Sequence, residues 1–130
     1  MTIAYACILV AALLPYVWAV FAKTSGSGNY DNRDPRAWLA NQDSARSRRA
    51  NAAQLNGFEA FPAFAAAVLM AELAGVDVQR ITLLALGFVG FRILHGLFYV
   101  LGNASARSIV WFGGFACVLA LMVSAILRIN

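Results

Sequence analysis

The sequence predicts an all-α fold, a bundle of four transmembrane helices filling residues 1–130 as one domain. Two observations carry this reading. Hydrophobic residues make up 62% of the chain, mean hydropathy is +0.70, and charged residues are only 12%, about half the roughly 25% of a soluble domain. The few charges are also bunched: residues 1–22 have none, 50–71 have only Glu59, 81–106 only Arg92, and 108–127 none. At about 1.5 Å of rise per residue, each run is long enough to cross a hydrocarbon core of roughly 30 Å.

The first span ends before Lys23. Val20-Phe21-Ala22 has the small-residue look of a cleavage site, but no Lys or Arg precedes the apolar run and the run is longer than a typical leader core, so it reads as a retained helix. The segment that follows opens with Ser, Gly and Asn and then offers Asp34-Pro35, an N-cap followed by proline at the first helical position. A short interfacial helix carrying Trp38 and Leu39 is expected there, with Trp38 as a membrane-boundary anchor.

Six of the ten basic residues, Lys23, Arg33, Arg36, Arg46, Arg48 and Arg49, lie between the first and second spans. The positive-inside rule then puts this loop in the cytoplasm and both termini outside. That topology accounts for the net charge of +4, with acidic lipid headgroups as counter-ions and no nucleic-acid partner. Compactness and the lack of a eukaryotic targeting signal point to a bacterial inner membrane. Cys7 and Cys117 sit in apolar segments with no His or second Cys at metal-ligand spacing, so no metal site is expected and buried thiols are the simpler reading, although a disulfide between the first and fourth spans stays open. There is no internal repeat, glycine-rich phosphate loop or Ser/His/Asp arrangement.

The second span is the one that matters for function, because Asn56, Glu59 and Pro62 lie within it. A carboxylate at membrane depth costs about 2.5 to 3.5 kcal/mol on insertion scales, so it has a partner or a task. Steps of seven and three residues keep Arg49, Asn56 and Glu59 within about 80° of arc on one face. The third span repeats the pattern with Arg92, His95 and Tyr99. With the third span rising to the cytoplasmic surface near Leu101, Glu59 and Arg92 both fall about 14 to 15 Å below it. A Glu59–Arg92 ion pair is expected, with Asn56 and His95 as interhelical hydrogen-bond partners. Arg107 and Ser108 open the fourth span at the same surface, so the polar groups outline a pocket facing the cytoplasm.

These residues resemble a known family. The run Ala53-Gln54-Leu55-Asn56-Gly57-Phe58-Glu59-Ala60-Phe61-Pro62-Ala63-Phe64 is similar to the second-helix signature of the MAPEG family, the membrane-associated proteins in eicosanoid and glutathione metabolism. Arg92, His95 and Tyr99, followed by Arg107-Ser108, give a second match, and length and loop charge agree across the chain. The resemblance implies a homotrimer whose second helix lines the axis, with glutathione as co-substrate between neighbouring subunits. Arg49, Asn56, Glu59, Arg92, His95 and Tyr99 would bind it, Glu59 accepting from its α-amino group, and Arg107 with Ser108 would be catalytic, approaching the thiol. The partner reaction would use a lipophilic small-molecule electrophile delivered through the lipid, giving a transferase or peroxidase.

One position departs from that pattern. Glutathione-using members usually carry an Arg four residues before the Asn, where this chain has Ala52. Arg48 or Arg49 would have to reach down in its place, or another thiol would be used. A different class of function, a small transporter or channel in which Glu59 binds a proton or cation, fits the same carboxylate, as does a non-catalytic membrane scaffold.

Overall fold

The computed structural model describes residues 1–129, which form five α-helices and, among the described residues, no strand. They are α1 (Thr2–Thr24), α2 (Pro35–Ala40), α3 (Ala45–Leu73), α4 (Val78–Leu101) and α5 (Ala104–Ile129). Four of the helix starts and the end of α4 have a clear local cause. Asp34, Ser44, Asp77 and Asn103 accept from the backbone N–H of Ala37, Ser47, Arg80 and Ala106 at 3.1, 3.3, 3.0 and 3.1 Å, satisfying donors that a helix start leaves free. Gly102 ends α4 in the left-handed conformation, φ 77°, which a residue without Cβ adopts at little cost.

The short helix expected after Asp34-Pro35 is present as α2. Trp38 also holds the loop together. Its Nε1 donates to the Asn29 carbonyl at 2.9 Å, its ring meets Tyr30 edge to face, and it packs on the buried cluster of Ala22, Leu39 and Ala50. Ser47 Oγ donates to the Ala22 carbonyl at 2.6 Å and Ser44 Oγ to that of Ser25 at 2.8 Å, so the loop is fastened to the start of α3.

Where four spans were expected, three helices, α1, α4 and α5, are long and apolar enough to cross a membrane. At 29 residues α3 has the length but not the apolarity. Arg46, Arg48 and Arg49 at its start and Asn51, Gln54, Asn56 and Glu59 within it dilute the hydropathy. The helix that carries Asn56 and Glu59 is therefore the one least suited to lipid on all sides.

The helices pack with α3 against α1, α4 and α5, and α4 between α1 and α5. Small side chains bring them close: Ala4, Cys7 and Ala11 of α1 and Ala67 and Ala71 of α3 are buried in one core, where Phe64 stacks on Phe88 with centroids 3.9 Å apart. Cys7 and Cys117 are both buried and free, which removes the disulfide and leaves them as small core hydrophobes. Two glycines set the approach of α1. A Cβ on Gly57 would lie 2.8 Å from Pro15 Cγ, and one on Gly96 2.1 Å from Trp18 Cζ2. Gly96→Ala should accordingly cost about 1 to 3 kcal/mol by overpacking, read as a lowered midpoint of thermal unfolding in detergent; unchanged stability would mean that Trp18 can swing away.

Candidate functional site

The polar residues of α3, α4 and α5 meet at the end of the bundle where α4 ends and α3 and α5 begin. Arg92, only 7% exposed, donates through Nη2 to Asn56 Oδ1 at 2.8 Å, and Asn56 Nδ2 donates to Glu59 Oε2 at 3.4 Å. This corrects the expected Glu59–Arg92 pair: no ion pair joins the two among the described residues. Asn56 stands between cation and carboxylate, its carbonyl toward one and its amide toward the other, which is the only polarity in which an amide can serve both. The reason is placement on α3, where Glu59 lies on an exposed face while Asn56 is half-buried and turned toward α4.

One turn of α4 further on, His95 is buried and its ring meets Tyr99 edge to face at 5.4 Å. The Arg107 guanidinium lies over the Tyr99 ring, 4.4 Å from its centroid, a cation–π contact that fixes the cation without neutralising it. Asn56, His95, Tyr99, Arg107 and Ser108 line one cavity of about 250 Å³, with Trp111 and Phe112 completing it. His95 Nδ1 is buried and has no hydrogen-bond partner, an arrangement that calls for an explanation in a native site.

A second cavity of about 210 Å³ adjoins the first, and Asn56 and Trp111 line both. Glu59 and Arg92 stand at its polar edge, while Phe88, Trp111, Phe115 and Val118 are among its apolar walls. Each cavity alone is smaller than the roughly 300 to 1,000 Å³ of small-molecule sites, and their shared residues make them two chambers of one site, one polar and one apolar. A wider recess of about 1020 Å³ lies at the opposite end of the bundle, beside Glu72, Asp77, Arg80 and Arg128. It contains none of the clustered polar residues of α3, α4 and α5, so the smaller chambers are the better candidate.

Arg49 does not join the others. It lines neither chamber, and its guanidinium lies against the turn between α4 and α5, where a Cβ on Gly102 would be 2.7 Å from Nη1. Arg48 is also committed elsewhere, donating through Nη1 to the carbonyls of Gln42 and Asp43 at 2.8 Å each. Neither arginine reaches down to compensate for Ala52. Sequence reasoning also passed over Trp111 and Phe115, whose signal was present: with Arg107 they recur every four residues, which places them on one face of α5.

What the arrangement can do follows from its donors. Arg107, Arg92, Asn56 and His95 offer hydrogen bonds to an anionic or polar ligand, and Glu59 offers an acceptor for an ammonium. The adjoining apolar chamber can hold a second, lipid-soluble reactant beside it.

No curated protein and no solved structure matches the chain. The family model for the MAPEG family matches residues 3–127, so that all the helices fall within or overlap the match, and the chain belongs to the MAPEG family.

Proposed function

We propose that the protein binds glutathione, or a related small anionic thiol, in the polar chamber and transfers it to, or uses it to reduce, a lipophilic electrophile. The observation that carries this reading is the convergence of Asn56, His95, Tyr99 and Arg107 from three helices on one cavity that shares a wall with an apolar one. Arg107, Ser108 and the binding set Asn56, Glu59, Arg92, His95 and Tyr99 take the roles that family membership suggests. Arg49 contributes indirectly, through the turn at Gly102.

The chemistry needs a thiolate, because the thiolate is the nucleophile. A fixed guanidinium close to the thiol favours that charge, and the low-dielectric surroundings enlarge the effect. Arg107 is such a group, held over Tyr99. Asn56 and Arg92 would hold a carboxylate or amide of the thiol compound, and Glu59 its ammonium.

We further read α3 as a fourth span covered by other copies of the chain. Its exposed face carries Glu59 beside Leu55, Phe58, Pro62 and Ala63, and a carboxylate turned to lipid is costly. A homotrimer with α3 around its axis covers that face. In a bacterial inner membrane with the α1–α3 loop inside, both chambers would open near the cytoplasmic surface.

Thiolate absorbance of bound glutathione as a function of pH tests the reading. Wild-type protein should hold the thiol ionised at pH values where free glutathione is protonated, and Arg107→Ala should retain most of the binding while losing that ionisation. Equal ionisation in both proteins would remove Arg107 from its role. Counterflow of substrate in liposomes without any turnover would instead make the carrier reading, centred on Glu59, the correct one.

A further inference from the structure

We propose that the recess at the opposite end of the bundle binds the headgroup of a phospholipid that carries a primary ammonium, with two arginines on the phosphate and two carboxylates on the ammonium. This site lies apart from the polar chambers and does not depend on what they bind.

The recess, of about 1020 Å³, is lined by Glu72 of α3, Asp77 in the turn to α4, Arg80 of α4, and Ser124 and Arg128 of α5. The three helices apolar enough to cross a membrane, α1, α4 and α5, each have an end here, which puts the four charges at the level of lipid headgroups. Beside them Leu73, Leu127 and Ile129 are strongly exposed. A ligand with a charged head and apolar chains matches both parts of this surface, whereas a soluble ion matches only the recess.

The charges are left available. No ion pair joins the two acids to the two arginines among the described residues. Tyr5 donates its hydroxyl to Glu72 Oε2, which positions the carboxylate and leaves Oε1. Asp77 Oδ1 caps α4 by accepting from the Arg80 backbone N–H at 3.0 Å, which leaves Oδ2. The guanidinium groups of Arg80 and Arg128 have no acceptor among the described residues. Arg128 suits the last turn of α5, where the helix dipole favours a cation, but Arg80 stands in the first turn of α4, where the dipole opposes one. A phosphate in the recess answers both that guanidinium and the positive end of α4.

The balance of charge narrows the headgroup. Two arginines and two carboxylates sum to zero, so a zwitterionic head leaves nothing unmatched, while a head with only a phosphate sets its negative charge beside Glu72 and Asp77. A primary ammonium donates hydrogen bonds to those carboxylates, which a trimethylated one cannot do.

Native mass spectrometry tests the assignment, with full-length protein equilibrated in detergent with equal amounts of phosphatidylethanolamine, phosphatidylcholine and phosphatidylglycerol. The first should be retained about tenfold more than either of the others, the scale of one charge-assisted hydrogen bond. Glu72→Gln combined with Asp77→Asn removes both negative charges while keeping a side chain able to cap α4, and should make phosphatidylethanolamine and phosphatidylcholine nearly equal. Arg128→Gln, at an exposed position, should weaken retention of both by a similar factor and leave their ratio unchanged. Glycerophosphoethanolamine, which has the head without the chains, should not displace the lipid at equal concentration. Equal retention of the three lipids by wild-type protein, a preference for phosphatidylglycerol, or a ratio that survives loss of both carboxylates would overturn the proposal. Displacement by glycerophosphoethanolamine would do the same.

Discussion

Ala52→Arg should tighten glutathione binding by roughly 10-fold to 150-fold, the equivalent of a charge-assisted hydrogen bond of about 1.5 to 3 kcal/mol. The position is half-buried on α3, one turn before Asn56, so a guanidinium there would project toward the ligand on which Asn56 acts. Nothing else on the helix supplies it: Arg48 is held by the Gln42 and Asp43 carbonyls and Arg49 lies at the Gly102 turn. Wild-type affinity should be correspondingly weak. Calorimetric titration of both proteins measures the difference, and tight binding by wild type that Ala52→Arg weakens would mean that the carboxylate is bound in another orientation.

Asn56→Ala should destabilise the bundle more than any other single change at the site, by about 1.5 to 3 kcal/mol, the range for hydrogen bonds to charged groups. Arg92 is buried and Asn56 is the one hydrogen-bond partner given to its guanidinium among the described residues, so the substitution leaves a cation in the interior without an acceptor. Because the contact is direct, a double-mutant cycle of Asn56→Ala with Arg92→Leu should show strong coupling. The cycle of Glu59→Gln with Arg92→Leu should show less, since Glu59 acts on Arg92 through the amide rather than by contact. Larger coupling in the second cycle would restore the direct ion pair that the sequence suggests.

Much of the fold was legible because it is local. The sparsely charged runs and the Asp34-Pro35 cap act over a few residues, and helical periodicity alone put Asn56 with Glu59 and Arg92 with His95 and Tyr99. The contacts between helices were not legible. Whether Arg92 reaches Glu59 or stops at Asn56 depends on the separation and rotation of α3 and α4, which Gly96 on Trp18 and Gly57 on Pro15 help to set. Arg49 falls on the same stripe by spacing, yet its guanidinium lies against Gly102, where a Cβ would be 2.7 Å from Nη1. The spacing of Arg107, Trp111 and Phe115 puts the three on one face of α5, but that this face meets α3 follows only from the position of α5. The contacts of Trp38 with the Asn29 carbonyl and Tyr30 were likewise not legible, since they form only once the loop folds back.

The central claim, that the polar chamber is a thiol site, is tested most directly by titrating glutathione into purified wild-type protein in nanodiscs by calorimetry, beside Asn56→Ala and an S-methylated glutathione. Saturable binding that Asn56→Ala weakens, with an ionisation heat for glutathione that the S-methyl compound lacks, is the expected result. No saturable heat from wild-type protein, or binding indifferent to Asn56 and to methylation of the sulfur, would contradict it.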